Sequence, residues 1–437
     1  VRRRFLRRVE ECGGSVAEER AMTTIGFDPE RLRAPAAALE TFFDRVPLAT
    51  LGEECVALDD AAGRVLARAI VNDQPIPPQP RSAMDGFAVA AAATPGRLSI
   101  AGAVGIARPF DGVLGRGDAV RIPTGGIVPD GADAVVPIER ARLDGAYVDV
   151  PTALAPGENV IARGEDAAPG EELLTSGVVI GPEEIGVLAT LGVVEVPVLR
   201  RPLIGVLSTG DEIVAPAVRP QPGQVRDSNR YLVAAALRAM GADAVHLPPV
   251  GDDPGRLEEA LREALAECDA VVLTGGSSVG DRDRTPAAVA ALGAPGVVVH
   301  GLRVRPGKPT LLGAVGTRPI LGLPGNPYSV VVMLDLVVAP VVARMVGAVP
   351  VRRVVRTAKA ATTISGRAGW TTCVPVRLES RDGEWFAVPL GIHSMHATLA
   401  ARAHGYVVVE GDAVIPEGAP TAVRVRLSAN AALHTND

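Results

Sequence analysis

Between residues 203 and 346 short aliphatic runs alternate with amphipathic stretches. Residues 203–207, 244–247, 270–274, 297–304 and 320–323 are short, mostly aliphatic runs ending at turn residues, the pattern of buried strands. Residues 229–240, 254–268 and 286–292 repeat their apolar positions at helical spacing, and a long apolar helix over 328–346 closes the series. Gly241 stands where a helix C-terminus takes glycine, and Pro254 where a helix accepts proline at its start. Repeated strand–helix units predict a doubly wound, mostly parallel α/β sheet over residues 201–348.

Outside that block the pattern changes. Residues 28–70 carry helical spacing (Ala37, Leu39, Phe42, Phe43, then 55–69). Together with 171–200, where Pro182 opens a helix ending near Leu191, they form an expected elongated helical and linker domain. Residues 71–170 place short alternating runs such as Ala134-Val135-Val136-Pro137 and Tyr147-Val148-Asp149-Val150 among glycines and prolines, which predicts an inserted β-rich domain. From 349 to 437 β character returns, at 371–378, 385–388, 405–410 and 422–427, and a small C-terminal β-barrel is expected. Residues 1–27 are expected to be disordered or dispensable. Their basic start lacks the apolar core of a signal peptide, and Met22 is an equally good beginning.

Composition narrows the function. A chain of 437 residues with 47% hydrophobic content should hold several filled cores. A net charge of −6 argues against a nucleic-acid partner. The apolar stretch 328–346 contains Asp335, Pro340 and Arg344, which makes it a buried helix, so no membrane partner is expected. Cys12, Cys55, Cys268 and Cys373 lie far apart, consistent with a cytoplasmic protein and with no disulfide framework.

Chemistry concentrates in three turns, each directly after an aliphatic run. They are Ser208-Thr209-Gly210-Asp211-Glu212, Thr274-Gly275-Gly276-Ser277-Ser278-Val279-Gly280-Asp281, and Leu323-Pro324-Gly325-Asn326-Pro327. Ligands of open α/β sheets bind beyond the carboxyl ends of the strands. Backbone N–H groups of Gly275, Gly276, Ser277 and Ser278 can cradle phosphate oxygens there. Asp211, Glu212, Asp227, Asp252, Asp253, Asp281 and Asp283 belong to the same edge, and Asp252 and Asp253 also fit a helix N-cap before Pro254. Carboxylates beside a phosphate repel it unless a cation lies between, which points to Mg²⁺. Only Lys308 and Lys359 among 44 basic residues are lysine. A lysine kept in Pro306-Gly307-Lys308-Pro309 implies a need for a compact ammonium, suited to an oxyanion. Arg303 and Arg305 lie beside it at alternate positions.

Pro80-Arg81-Ser82-Ala83-Met84-Asp85-Gly86-Phe87-Ala88 resembles a signature of the MoeA/gephyrin E-domain family, the molybdopterin molybdenumtransferases. Pro123-Thr124-Gly125-Gly126, the three turns above, Asp227-Ser228-Asn229, Asp252-Asp253-Pro254 and Pro306-Gly307-Lys308-Pro309 resemble the same family in the same order, over about residues 28–427. The resemblance implies insertion of molybdate into adenylylated molybdopterin, with Mg²⁺ and release of AMP. It implies a homodimer with shared active sites and a molybdopterin adenylyltransferase as upstream donor. It makes Asp85, Glu212, Asp252, Asp283 and Lys308 the catalytic candidates, Asp85 being contributed across the dimer. Asp252 and Asp283 are the metal candidates, with Glu212 next and the direct ligands left open. Thr209, Gly210, Asp211, Asp227, Ser228, Asn229, Gly275, Gly276, Ser277, Ser278, Gly280, Arg305, Pro324, Gly325 and Asn326 become the substrate-binding set. Arg81, Gly301 and Arg305 depart from the family, where asparagine and two lysines are usual. Two other readings follow: a gephyrin-like scaffold that clusters peptides, or a divergent paralogue that binds the nucleotide without inserting metal. The preference between molybdate and tungstate stays open.

Overall fold

The computed structural model describes residues 32–105, 107–275, 285–348, 354–391 and 394–425. The chain divides into two compact units, one of residues up to 54, 63–65 and 198 onward, the other of residues 55–62 and 66–197.

In the first unit a six-stranded sheet has the order Asp243–His246, Leu203–Ser208, Ala270–Thr274, Arg318–Leu323, Leu311–Val315, Pro295–His300. The first four strands are parallel and the last two pairs antiparallel. Every residue of Ala270–Thr274 is buried, which is why it reads as an unbroken apolar run. Alternate side chains leave for opposite faces. Val272 joins a core with Phe42, Val233, Leu237 and Val342, while Val271 and Leu273 join another with Leu257, Leu261 and Val289. The helices Pro35–Arg45 and Asn229–Ala239 thus cover one face, and Pro254–Glu267 and Thr285–Ala291 the other.

Two expectations change in detail. The run 297–304 is not one strand: Gly301, at a φ of 87°, separates Pro295–His300 from Val304–Arg305. The strand Leu311–Val315, absent from the sequence reading, inserts between Arg318–Leu323 and Pro295–His300 and makes that half of the sheet antiparallel. The helix over 328–346 runs as Pro327–Val346, and among the described residues it alone has the length and apolarity to cross a bilayer, yet it is largely buried in the sheet's core. It widens to a π turn at Leu334–Val338, where the Ala339 N–H donates five residues back to Leu334. The wider turn relieves the clash that the Pro340 ring would make with the carbonyl four residues before it.

The C-terminal part of the same unit is a closed five-stranded barrel, as expected. Thr371–Arg381 pairs with Glu384–Pro389 and Gly405–Glu410; Val355–Ala360 pairs with Glu384–Pro389 and Pro420–Val425; the last strand pairs with Gly405–Glu410 and closes the ring. Val376, Leu378, Val407 and Val423 fill it. Val304–Arg305 adds parallel to Thr371-Thr372, so the chain leaving the sheet is fixed to the barrel. Behind it the Tyr406 hydroxyl donates to Asp335 of the π turn.

The second unit contains a six-stranded sheet in the order Ala134–Pro137, Gly86–Val89, Asp118–Ile122, Gly96–Ala103, Tyr147–Val150, Arg142–Asp144, confirming a β module. Its helix Pro182–Thr190 starts where the Gly181 N–H donates to Glu184 Oε2 at 2.8 Å. Residues 55–69 are not helical. They finish the strand Glu53–Ala57, form a single 3-10 turn at Leu58–Asp60, and reverse at Gly63, whose φ of 73° no helix contains.

Candidate active site

The motif loops at the carboxyl edge of the first unit's sheet are hydrogen-bonded to one another. The Thr209 hydroxyl has no partner among the described residues; the Thr209 N–H donates to the Thr274 carbonyl at 2.9 Å, and that of Gly210 to the Val250 carbonyl at 3.0 Å. Gly275 sits at a φ of 92°, and a Cβ there would lie 2.3 Å from the Thr209 carbonyl oxygen. Only glycine lets these two loops meet. Asp211 Oδ1 accepts the Asp252 N–H at 3.2 Å, and a Cβ on Gly251 would strike that same oxygen. Asp211 therefore clasps the loop that carries Asp252.

The other acids divide by role. Asp253 caps the helix Pro254–Glu267, accepting from Gly255 and Arg256 at 2.9 and 3.1 Å. Asp227 is buried, accepts the Arg230 N–H at 3.2 Å and lies 3.3 Å from the Arg230 Nε, so its carboxylate serves the helix start. Ser228 is exposed and caps nothing with its side chain. Asn229 donates from Nδ2 to the Gly325 carbonyl at 2.8 Å. Asp252 and Glu212 remain exposed. Gly276, Ser277, Ser278, Gly280 and Asp283 lie outside the described residues.

Glu212, Gly275, Arg305, Lys308, Pro324, Gly325 and Asn326 line a single cavity of about 550 Å³. Gly307 shapes the loop under Lys308: at a φ of 125° its missing side chain leaves room for Met333, and its carbonyl accepts the Thr310 hydroxyl at 2.6 Å. The Leu302 N–H donates to the Lys308 carbonyl at 2.8 Å. Of the two flanking arginines, Arg305 reaches the cavity, whereas Arg303 donates to the Leu32 carbonyl at 2.9 Å. Gly301, where a lysine is usual, is buried in its left-handed conformation.

Residues that sequence reasoning missed complete the wall. Ser329 is buried in the first turn of the helix after Asn326, and Ser394 accepts from Asn326 Nδ2 at 3.1 Å. Arg367 and Trp370 arrive from the hairpin that opens the barrel strand Thr371–Arg381. Arg367 is one of many arginines in the sequence, and nothing local ties the hairpin to the sheet. The signal lies in the pairing of Val304–Arg305 with Thr371-Thr372, which is tertiary.

In the second unit Asp85 joins two motifs. Its Oδ1 accepts the Thr124 N–H at 2.7 Å and the Thr124 hydroxyl at 3.0 Å. The backbone bond first, then the hydroxyl, hold the Asp85 carboxyl below its ordinary range, helped by Arg121. Ser82 is buried and its hydroxyl bonds Met84 at 2.5 Å, while Arg81 donates to the Gly125 carbonyl at 2.7 Å. Arg81 thus ties the same two loops from the other side.

The donor chemistry accommodates a hard cation. Among the described residues no three His, Cys, Asp or Glu side chains form a ligand cluster. Mg²⁺ needs only one or two protein carboxylates when substrate phosphate and water supply the rest, and Glu212 at the cavity wall offers such an oxygen. Among the described residues, the buried oxygens Thr209 Oγ1 and Asn229 Oδ1 beside this edge have no hydrogen-bond partner.

A doubly wound sheet whose loops and barrel hairpin bring an ammonium and two guanidinium groups around one cavity defines an α/β protein with a cationic pocket at its sheet edge. Residues 33–192 match the MoeA N-terminal region (domain I and II), and residues 205–344 match a model described as a probable molybdopterin binding domain. The chain is 32% identical to a molybdopterin molybdenumtransferase of Bacillus subtilis over 370 residues, covering 82% of this chain and 86% of that one. It is 36% identical to one from Nostoc sp., covering 67% and 70%. Among solved structures, a molybdopterin biosynthesis MoeA protein from Pyrococcus horikoshii superimposes with a TM-score of 0.78 at 30% identity, over 90% of this chain and 99% of that one. The chain belongs to the molybdopterin molybdenumtransferase (MoeA) family. It is a transferase of molybdenum cofactor biosynthesis.

Proposed function

We propose that the protein transfers molybdate onto adenylylated molybdopterin and releases AMP, with Mg²⁺ as the assisting ion. The cavity carries this reading: Lys308, Arg305 and Arg367 bring positive charge to one volume that Gly325 also lines and to which Ser329 and Ser394 bring hydroxyls. A tetrahedral dianion needs that combination of cations and hydrogen-bond donors. The curated relatives' name supplies molybdopterin as the acceptor.

The residues have separable tasks in this reading. Lys308 holds a molybdate oxygen while the two dithiolene sulfurs displace oxide from molybdenum, which leaves as water with the thiol protons. The close approach at Gly275 and the Asn229–Gly325 bond fix the loops in the arrangement that receives the pyrophosphate. Water cleaves the phosphoanhydride, giving AMP and the terminal phosphate of the product. Asp252, Asp283 and Glu212 would hold Mg²⁺, which neutralises the pyrophosphate when bound. The buried Thr209 and Asn229 oxygens gain partners from such a polar ligand.

The proposal includes a homodimer in which Asp85, fixed by Thr124, completes the partner's site, and a molybdopterin adenylyltransferase that supplies the substrate. The test mixes purified protein with adenylylated molybdopterin, molybdate and Mg²⁺ and measures AMP release. Molybdate-dependent release that chelator abolishes is expected. Tight nucleotide binding without release would replace the transfer reading with a binding paralogue.

A further inference from the structure

Aromatic residues make up 3% of the sequence, and it holds two tryptophans. Trp385 packs against the apolar core of the barrel and lies under the Arg356 guanidinium, 4.4 Å from its ring centroid. Trp370 packs against none of the three core clusters of this unit's sheet and barrel. It lines the cavity instead, half-buried, and among the described residues is the sole aromatic side chain to do so.

The backbone holds it there firmly. The Trp370 N–H donates to the Arg367 carbonyl at 2.9 Å, and its own carbonyl accepts the Gly411 N–H at 2.9 Å. A Cβ on neighbouring Gly366 would lie 2.3 Å from the Gly411 carbonyl oxygen, so the hairpin sits tightly on the barrel. The Arg367 guanidinium stands over the indole, 5.2 Å from its centroid, in cation–π contact. A large ring fixed by its backbone, half exposed in a polar cavity and outside any core, is placed to stack on a planar ligand.

We infer that Trp370 is the stacking platform for the pterin ring of the substrate. The inference rests on the proposed function, which supplies two candidate planar systems, pterin and adenine. Their chemistry separates them. The dithiolene that receives molybdenum is carried on a ring fused to the pterin, whereas adenine lies beyond the pyrophosphate and ribose. Trp370 shares its cavity with Lys308, Arg305 and Arg367, the groups that hold the oxyanion. The ring adjoining the metal site is therefore the pterin.

The test uses binding, not turnover. In the full chain carrying Trp385→Phe, Trp370 is the sole tryptophan, and biopterin and AMP are titrated separately against its fluorescence. Biopterin should quench saturably and AMP should not. Calorimetric biopterin affinity should fall about tenfold in Trp370→Leu, which keeps apolar volume without a π face, and return to within about threefold in Trp370→Phe. Thermal melts of each variant establish folding, with Trp370→Phe as the conservative control. Saturable quenching by AMP with none by biopterin would overturn the assignment, as would biopterin affinity unchanged in a folded Trp370→Leu protein. Failure of AMP release in the parent with biopterin binding intact would count against the proposed function alone. Normal AMP release without biopterin binding up to millimolar concentration would sink the pterin platform alone.

Discussion

Asn229 and Gly325 lie 96 residues apart in sequence, and the Asn229 side chain donates to the Gly325 carbonyl at 2.8 Å. The first residue opens the helix that follows the Leu203–Ser208 strand; the second sits in the turn after Arg318–Leu323. Those strands flank Ala270–Thr274 in the sheet, so the bond passes over the end of the strand between them. The Gly275 turn lies close by: a side chain there would collide with Thr209, and a Cβ added at Gly325 would stand 3.7 Å from the Gly275 Cα. Three motif loops thus form one hydrogen-bonded rim, and several of their polar residues work on each other.

Breaking that tie should harm the site more than the fold. Asn229→Ala should cost about 0.5–1.5 kcal/mol of stability, the net value of one hydrogen bond, in denaturant unfolding. AMP release should fall further than the loss of folded protein explains, because the Gly325 turn is freed. Activity that merely tracks the folded fraction would show the bond to be structural only.

The Asp85–Thr124 pair makes a prediction about pH. The carboxylate form is favoured by the Thr124 N–H, then by its hydroxyl, so the folded carboxyl titrates below the ordinary 3.8. A depressed carboxyl pKa adds stability above the unfolded value, and that contribution disappears as pH falls through the folded value. The loop contact should therefore loosen only in acid below 3.8. Carbon NMR of the Asp85 carboxyl should show this midpoint. Thr124→Val should raise it part of the way, since the backbone N–H, the larger cause, remains. A parent midpoint at or above the ordinary value contradicts the pairing.

Gly301 stands where the family commonly has lysine, and reverting it should not help. The residue is buried at a φ of 87°, where an L side chain costs about 1–2 kcal/mol. Gly301→Lys should lower the melting temperature without tightening the response to molybdate. A gain in molybdate affinity would mean the loop can adopt the family's geometry, and that the departure is not imposed by the backbone.

Much of the fold was legible because burial wrote it into periodicity. Ala270–Thr274 is apolar at every position since both its faces are covered, and the barrel strands showed their β character in the same way. Glu212, Gly275, Lys308 and Asn326, spread over four sequence motifs, stand around one cavity. What was hidden depends on distant partners. Leu311–Val315 looks like its neighbours but runs antiparallel, and only sheet pairing fixes its direction. Residues 55–69 have helical spacing, yet Gly63 reverses the chain. Arg303 and Arg305 look equivalent in sequence, but Leu32 claims the first. Arg367 and Trp370 enter the site because a two-residue strand docks on the barrel, a relation no local pattern records.

The proposed sharing of sites between subunits can be tested by complementation. Asp85→Ala and Asp283→Ala proteins should each be nearly inactive alone. Mixed under conditions that exchange subunits, they form heterodimers with one intact site, and part of the AMP release should return. Verified exchange with no recovery would place Asp85 outside the partner's site.

Lys308 gives the sharpest test of the oxyanion pocket. It is one of two lysines among 44 basic residues, and its loop is fixed by the Leu302–Lys308 backbone bond and by the close approach of Gly307 to Met333. Arginine is abundant in this chain and also lines the same cavity at Arg305 and Arg367. Charge alone therefore does not explain a lysine here; a compact, rotatable donor does. Lys308→Arg should raise the molybdate concentration needed for half-maximal AMP release, because a planar guanidinium cannot take the same position. Lys308→Ala should lose more, about 2–5 kcal/mol of interaction if it leaves the anion without its partner. Both proteins should melt near the parent temperature, since the side chain is only half-buried. If Lys308→Arg matches the parent at every molybdate concentration, the pocket requires positive charge at that point and nothing specific to an ammonium.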